Sequence, residues 1–378
     1  MRELAAVFLK LGTIAFGGPA AHIAMMEDEV VRRRRWLTRE EFLDYLGATN
    51  LIPGPNSTEL AIHIGKARGG WPGLVIAGAC FILPAAMIVS VIAWIYVRFG
   101  SLPEVTSVLY GVKPVVIAIV LQALWGLGRS ALKTPTLALI GVASVVAVVA
   151  GINEIAVLLG AGAIAGVLAA PRGHSAQGES VGRGIAVLSG AAGPLAIGSA
   201  GSVVFGLWPL FLAFAKIGAV LFGSGYVLLA FLRADFVDRL GWLTERQLLD
   251  AVAVGQVTPG PVFTTATFVG YLLGGGAGAA VATVGIFAPA FVFVALSGVV
   301  LPYVRESRVA RTVLDGVNVA SLALMAVVTY QLARTALTDV LTAILAIVAA
   351  GLLFRWRVNT AWLIVAGGMV GWIFKTLI

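Results

Sequence analysis

The chain has 378 residues, 60% hydrophobic and 12% charged, with a mean hydropathy of +0.99 and a formal net charge of +8. A typical soluble domain carries about 25% charged residues, so this composition excludes a soluble class and implies a polytopic inner-membrane protein. The basic residues lie mostly in short loops flanking apolar runs, where topology uses them, and do not form a nucleic-acid footprint. The single cysteine, Cys80, excludes an intrachain disulfide and a cysteine metal cluster.

In chain order, apolar runs of about 18 to 25 residues mark membrane spans. The first covers residues 4–25, with no basic leader of a cleavable signal before it. A charged amphipathic stretch follows at 27–44, with Arg32, Arg33, Arg34 and Arg35 and the anchors Trp36, Leu37 and Phe42. An apolar but interrupted segment, 45–65, contains Pro53-Gly54-Pro55, and firmer spans read at 74–97, 105–127, 136–150 and 155–169. Residues 171–206 form an inter-repeat linker between an N-terminal membrane repeat, 1–170, and a C-terminal one, 207–378. Within the linker, 184–205 is apolar but rich in Gly, Ala and Ser, and whether it crosses is open. The second half repeats the first: 207–232, a charged stretch at 233–250, an interrupted segment at 251–273, and spans near 277–301, 313–332, 340–354 and 360–377.

The halves match residue by residue. Pro53-Gly54-Pro55 returns 206 positions later as Pro259-Gly260-Pro261, Lys10 as Lys216, Trp36-Leu37-Thr38 as Trp242-Leu243-Thr244, and Asp44 as Asp250. Beyond the second proline the offset is 205, pairing Pro84 with Pro289 and Gly111 with Gly316. A duplication of this length in so apolar a chain implies an all-α, two-repeat transporter with about ten transmembrane helices plus broken or re-entrant segments. Counting Lys and Arg puts the Arg32 to Arg35 cluster in the cytoplasm with Lys66, Arg68, Arg129 and Lys133. For the second half the count is even, and an inverted repeat is preferred to a parallel one.

Two helix breaks at corresponding positions point to the transport site. Irregular backbone at membrane depth is tolerated only where protein or a water-lined cavity covers it. In Pro-Gly-Pro, the first proline ends one half-helix and the second suits the first position of the next. The following amides, from Asn56, Ser57 and Thr58 and from Val262, Phe263 and Thr264, then form an anion cradle at a positive helix end. The expected substrate-binding set is Asn50, Pro53, Gly54, Pro55, Asn56, Ser57 and Thr58, with Gln256, Thr258, Pro259, Gly260, Pro261, Thr264 and Thr265. Lys10 and Lys216 join it as lone ammonium groups in apolar stretches, although each is near enough to a span end to snorkel instead. Gly17, Gly18, Gly223 and Gly225 are expected to break the first span of each repeat, or else to serve close helix packing. Glu59, His22 and His63 are the candidates for carrying a proton.

These residues also resemble a known family. The runs from Phe8 to Pro19, Leu51 to Asn56 and Phe81 to Pro84 are similar to the chromate ion transporter family, as are Phe222 to Tyr226, Gly241 to Thr244 and Gly255 to Thr265. Both halves are covered, as in its long-chain form. The resemblance implies export of chromate from the cytoplasm, driven by the proton gradient, with chromate resistance as the phenotype. It is also compatible with sulfate or another oxyanion as the substrate, and a lipid-handling or membrane-assembly protein is a further, less favoured reading. No enzymatic activity, cofactor or metal is expected; the partners are the oxyanion, the bilayer and, as a candidate assembly, a second copy.

Overall fold

The computed structural model describes residues 1–16, 18–100, 102–169, 204–222, 225–356 and 358–377. Gly17, Gly223 and the linker from 171 to 203 lie outside the described residues. All regular structure among the described residues is helical.

Helix α1 (Arg2–Ile14) stops at Ala15, whose backbone is extended, and α2 (Gly18–Glu27) starts at Gly18 with φ +79°. A π-helical turn, Asp28–Arg33, continues α2. Arg34, at its end, makes an ion pair with Glu3 at the start of α1. The chain has therefore gone in and come back. Residues 4–25, read above as one span, form a hairpin whose first arm ends at Ala15 and whose second begins at Gly18. Apolarity alone does not separate these two outcomes, because both bury the same side chains in lipid or protein.

A second hairpin follows. Helix α3 (Arg39–Thr49) opens on a capping box between Thr38 and Glu41, which satisfies two of its unpaired N–H groups. After the Pro-Gly-Pro break comes α4 (Asn56–Phe99), a 44-residue helix bent sharply at Gly69 and Gly70. Gly70 has φ +61°, a conformation available at low cost to glycine alone. The backbones of Gly65 and Gly73 meet with no room for a side chain on either, so the arm 56–68 lies against the start of the arm 71–99. Arg68, at the end of the first arm, sits 5.6 Å from the ring of Trp36, and His63 stacks on Tyr45 at 5.5 Å. The Pro-Gly-Pro break is thus the tip of a re-entrant hairpin whose two mouths share one level.

The second repeat builds the same two hairpins. The first comprises α8 (Leu207–Val220), α9 (Leu228–Leu232) and a π-helical turn, Arg233–Arg239. Phe205 packs edge-on to Trp242 at 5.3 Å, bringing the two ends of this hairpin together. The other comprises α10 (Glu245–Val257) and the first arm of α11 (Thr265–Glu306), bent at Gly274 and Gly275 with Gly270 against Gly278.

Each repeat ends in one long helix and a pair of shorter ones: α5 (Pro103–Ala131), α6 (Pro135–Val149) and α7 (Glu154–Ala169), then α12 (Arg308–Ala336), α13 (Val340–Trp356) and α14 (Thr360–Leu377). The pairs are exchanged. Helices α13 and α14 pack on α5 of the other repeat, and α6 and α7 pack on α12. Glycine permits the close approach: Gly111 meets Gly367 and Gly371, while its counterpart Gly316 meets Ala161 and Ala165. Helices 56–99, 103–131, 262–298, 309–336 and 360–377 are long and apolar enough to cross a membrane.

The relative direction of the repeats can be read from α5 and α12. Near the start of α5, Tyr110 donates to Asp339, just beyond the end of α12, at 2.6 Å. Just past the end of α5, Lys133 pairs with Asp315, near the start of α12, at 2.7 Å. Corresponding helices run antiparallel, so the repeats are inverted. Single cysteines at Leu132 and Leu337, both exposed, are therefore expected to react with an impermeant reagent from opposite sides of the membrane. Labelling of both from one side would mean parallel repeats.

Candidate functional site

Each Pro-Gly-Pro tip is fastened to the opposite repeat. The amide of Gly54 donates to the carbonyl of Leu221, at the end of α8, at 2.8 Å. The amide of Gly260 donates to the carbonyl of Ala15, at the end of α1, at 2.9 Å. Both carbonyls belong to helix ends that have run out of intrahelical donors, so each bond satisfies two groups that would otherwise be orphaned. Gly54 has φ +137° and Gly260 φ +84°. The amides expected to be free are partly used: Thr58 donates to the carbonyl of Pro55 and Thr264 to that of Pro261. Those of Asn56, Ser57, Val262 and Phe263 have no backbone acceptor among the described residues.

These four residues border a single cavity of about 1520 Å³, together with Asn50, Pro55 and Gly225. Asn56 donates to the Asn50 side chain at 2.8 Å, holding the two amides of this wall together. Farther out the walls are Asn318 and Ser321 of α12, and the mouth carries Arg129, Arg311 and Lys133. Lys133 is neutralised by Asp315, whereas Arg129 and Arg311 have no ion pair among the described residues. The opening thus has uncompensated positive charge and the floor has amide donors and two helix starts. That combination attracts and holds an anion.

The expected site residues divide around this cavity. Asn50, Pro55, Asn56 and Ser57 line it. Pro53 and Gly54 form the tip, and Thr58 is buried behind it with its hydroxyl unpaired. On the other tip, Gln256, Thr258, Pro259 and Gly260 are buried away from the cavity. Thr264 and Thr265 turn their hydroxyls onto the carbonyls of Pro261 and Val262, and Pro261 positions Val262 at the cavity edge. Gly18 supports the α1–α2 turn, Gly225 lines the cavity, and Gly17 and Gly223 lie outside the described residues.

Lys10 and Lys216 are absent from the cavity wall. Lys10 pairs with Glu29 at 3.4 Å, and Lys216 with Asp235 at 2.5 Å. Glu29 and Asp235 also bind Arg34 and Arg239, respectively, both at 2.9 Å. These carboxylates stand 206 positions apart, as the lysines do, so each repeat carries its own cation with a matching counter-ion. The signal was in the sequence: a carboxylate 19 residues after each lysine.

Among the proton candidates, His22 bridges the two tips of its repeat, with Nε2 3.0 Å from the Ala15 carbonyl and Nδ1 3.4 Å from the Ser57 hydroxyl. Glu59 is fully buried directly under Gly54, and neither of its oxygens has a hydrogen-bond partner among the described residues. His63 lies one turn on, against Tyr45.

The sequence model of the family described as Chromate transporter matches residues 2–167 and 208–372, one match per repeat. A chromate transport protein of Cupriavidus metallidurans is 34% identical over 376 residues, covering 97% of this chain and 91% of that protein. One from Pseudomonas aeruginosa is 33% identical, covering 98% and 92%. An uncharacterized transporter of Bacillus subtilis is 33% identical over 126 residues, which are 33% of this chain and 71% of that protein. No solved structure matches the chain significantly.

A methyl group at Gly54 would run into the Glu59 carboxyl, and one at Gly260 would stand 2.6 Å from the Ala85 Cβ. Both glycines also have positive φ, so Gly54→Ala and Gly260→Ala are expected to displace their tips. The loss of an amide contact to an anion costs about 1.5 to 3 kcal/mol, roughly 10- to 100-fold in affinity. Anion binding to the purified protein measures this. Gly160→Ala, with nothing within 4 Å of the added carbon, is the control and should bind normally.

Proposed function

The chain belongs to the chromate transporter family, and from that premise we propose that it exports chromate from the cytoplasm as a secondary transporter of the inner membrane. The observation that carries this reading is the cavity itself. Both Pro-Gly-Pro tips contribute helix-start amides to its floor, and its mouth holds the guanidinium groups of Arg129 and Arg311, which have no ion pair among the described residues. A tetrahedral dianion presents four oxygens and needs donors from several directions without a fixed counter-charge; this floor offers that. The mouth lies at the end of the molecule that also carries Arg32 to Arg35, Arg68 and Lys133. Positive charge in membrane proteins accumulates on the cytoplasmic side, so the cavity opens inward, and this state is the one that loads an exported ion.

Direction has a physical bias as well. A potential of ~100 mV, negative inside, favours the exit of each negative charge by about 2.3 kcal/mol, hence roughly twice that for a dianion. Proton coupling falls to Glu59, because a carboxyl with no hydrogen-bond partner among the described residues stands in an apolar interior at the tip that the substrate must pass. Sulfate has the same charge and shape and is the alternative substrate. A lipid-handling role is disfavoured by Lys216, an ammonium only 10% exposed and held in a carboxylate cluster, where a lipid path would need an apolar groove.

Inside-out vesicles containing the protein are expected to accumulate chromate when an interior-positive potential or an acidic interior is imposed, each applied separately. Glu59→Gln is expected to abolish the response to the pH gradient. Absence of chromate and sulfate movement under both gradients would reject the transport reading. Movement of sulfate alone would reassign the substrate, and an undiminished pH response in Glu59→Gln would remove Glu59 from the proton path.

A further inference from the structure

The two repeats are related by an inverted pseudo-twofold, yet the cavity described above opens at one end of the molecule. At the floor the two repeats meet, so that Asn56 and Ser57 share the cavity with their counterparts Val262 and Phe263, whereas the counterparts of several wall residues lie outside it and show what the far side contains. Asn318, on the cavity wall, corresponds to Lys113 at the offset of 205; Asn50 corresponds to Gln256 at 206; Gly126, also on the wall, corresponds to Gln331. Lys113, Gln256 and Gln331 therefore belong to one counterpart region. They are richer in hydrogen-bond donors than the open side, and one of them is a cation.

That region is shut. Lys113, 12% exposed, lies 3.0 Å from the carboxylate of Asp250, itself 1% exposed. Tyr96 also donates to Asp250, at 2.7 Å. Thr335 donates to Glu245 at 2.7 Å; with the Arg233 guanidinium, this bond holds the Glu245 carboxyl below its ordinary range. Lys113 and Tyr96 come from the first repeat and Asp250 from the hairpin that bears the second Pro-Gly-Pro tip, so the contact is a latch between repeats. Asp44, the counterpart of Asp250 in the open half, is exposed. The closed region is also left polar and unsatisfied: Gln256 Nε2 and Gln331 Oε1 are buried without a hydrogen-bond partner. Buried amides of this kind, without a partner among the described residues, are rare in a finished core and call for an explanation.

We infer that Lys113, with Gln256 and Gln331, forms the far-side anion site of the transport path, and that Asp250 occupies in this state the position a tetrahedral oxyanion takes when the far side opens. The inference rests on the transport reading above and adds a residue to it. The ammonium exchanges one anionic partner for another: Asp250 when the far side is closed, the substrate when it is open. Since the near side has Asn318 at the same place, the path is electrostatically uneven, and the anion moves from a neutral polar wall toward a cation on its way out.

The test separates a substrate-handling lysine from one that only pairs with Asp250. Replacing a buried ion pair by a neutral polar pair is often tolerated structurally, so the double variant Lys113→Gln/Asp250→Asn removes the latch without leaving a lone charge. Chromate flux is measured in inside-out vesicles containing equal amounts of inserted protein. Lys113→Gln and the double variant are both expected to lose at least tenfold. Wild-type flux in either one would overturn the inference, since a structural pair is the only role that neutralising both partners can restore. Should these variants fail to accumulate in the membrane, Lys113→Cys treated with an aminoethylating reagent regains the charge. Recovery of flux with that reagent, and none with a neutral reagent of the same size, is expected; equal recovery or no recovery would overturn the inference. A wild-type protein that moves neither chromate nor sulfate would instead reject the transport reading on which this one depends.

Discussion

The structure depends on two crossed hydrogen bonds: Gly54 N–H to the Leu221 carbonyl, and Gly260 N–H to the Ala15 carbonyl. A broken helix inside a membrane is unstable unless its freed backbone groups find partners, because no solvent is available to supply them. Here the breaks of one repeat answer those of the other. The arrangement makes the halves interdependent, and it places four helix ends around one volume, which is where a ligand can replace water without meeting a wall of side chains. The exchange of α6 and α7 for α13 and α14 has the same effect farther out.

Much of this was legible in the residues. The matched Pro-Gly-Pro runs, an offset that shifts by a single residue and the apolar composition identify a two-repeat helical membrane protein, and Asn50, Asn56 and Ser57 line the cavity at the breaks. What could not be read was the path between the breaks. A run such as 4–25 has the same hydropathy whether it crosses the membrane or turns back between Ala15 and Gly18, because a hairpin buried in protein excludes water as a span does. Likewise Gly69-Gly70 looks like a loop at the end of a span, and only its φ of +61° at Gly70 and the contact of Gly65 with Gly73 reveal a fold-back. The lysines were legible in position but not in partner. Glu29 and Asp235 lie in stretches that read as surface helices, yet both sit in π-helical turns and are buried.

Inversion also explains why similar sequences yield unequal sites. The pseudo-twofold rotation preserves backbone contacts, so Gly111 with Gly367 reappears as Gly316 with Ala161. It does not preserve side chains, and each substitution between repeats becomes a difference between the two faces of the membrane. Glu59 against Thr265, Lys113 against Asn318 and Lys66 against Leu272 are differences of this sort. Lys66 donates to the carbonyls of Val294 and Ala295 at 3.2 and 3.0 Å, tying the first hairpin to α11 of the other repeat. With leucine at the equivalent position, the second hairpin lacks that tie.

The crossed bond from Gly54 also sets an order of assembly. Its acceptor, Leu221, is made long after the first hairpin has left the ribosome, so for that interval the first break has no partner in its own repeat. Until then the Gly54 amide lacks the acceptor that it has in the finished fold. The bond that closes the first break can therefore form only once residue 221, in the second repeat, has been made.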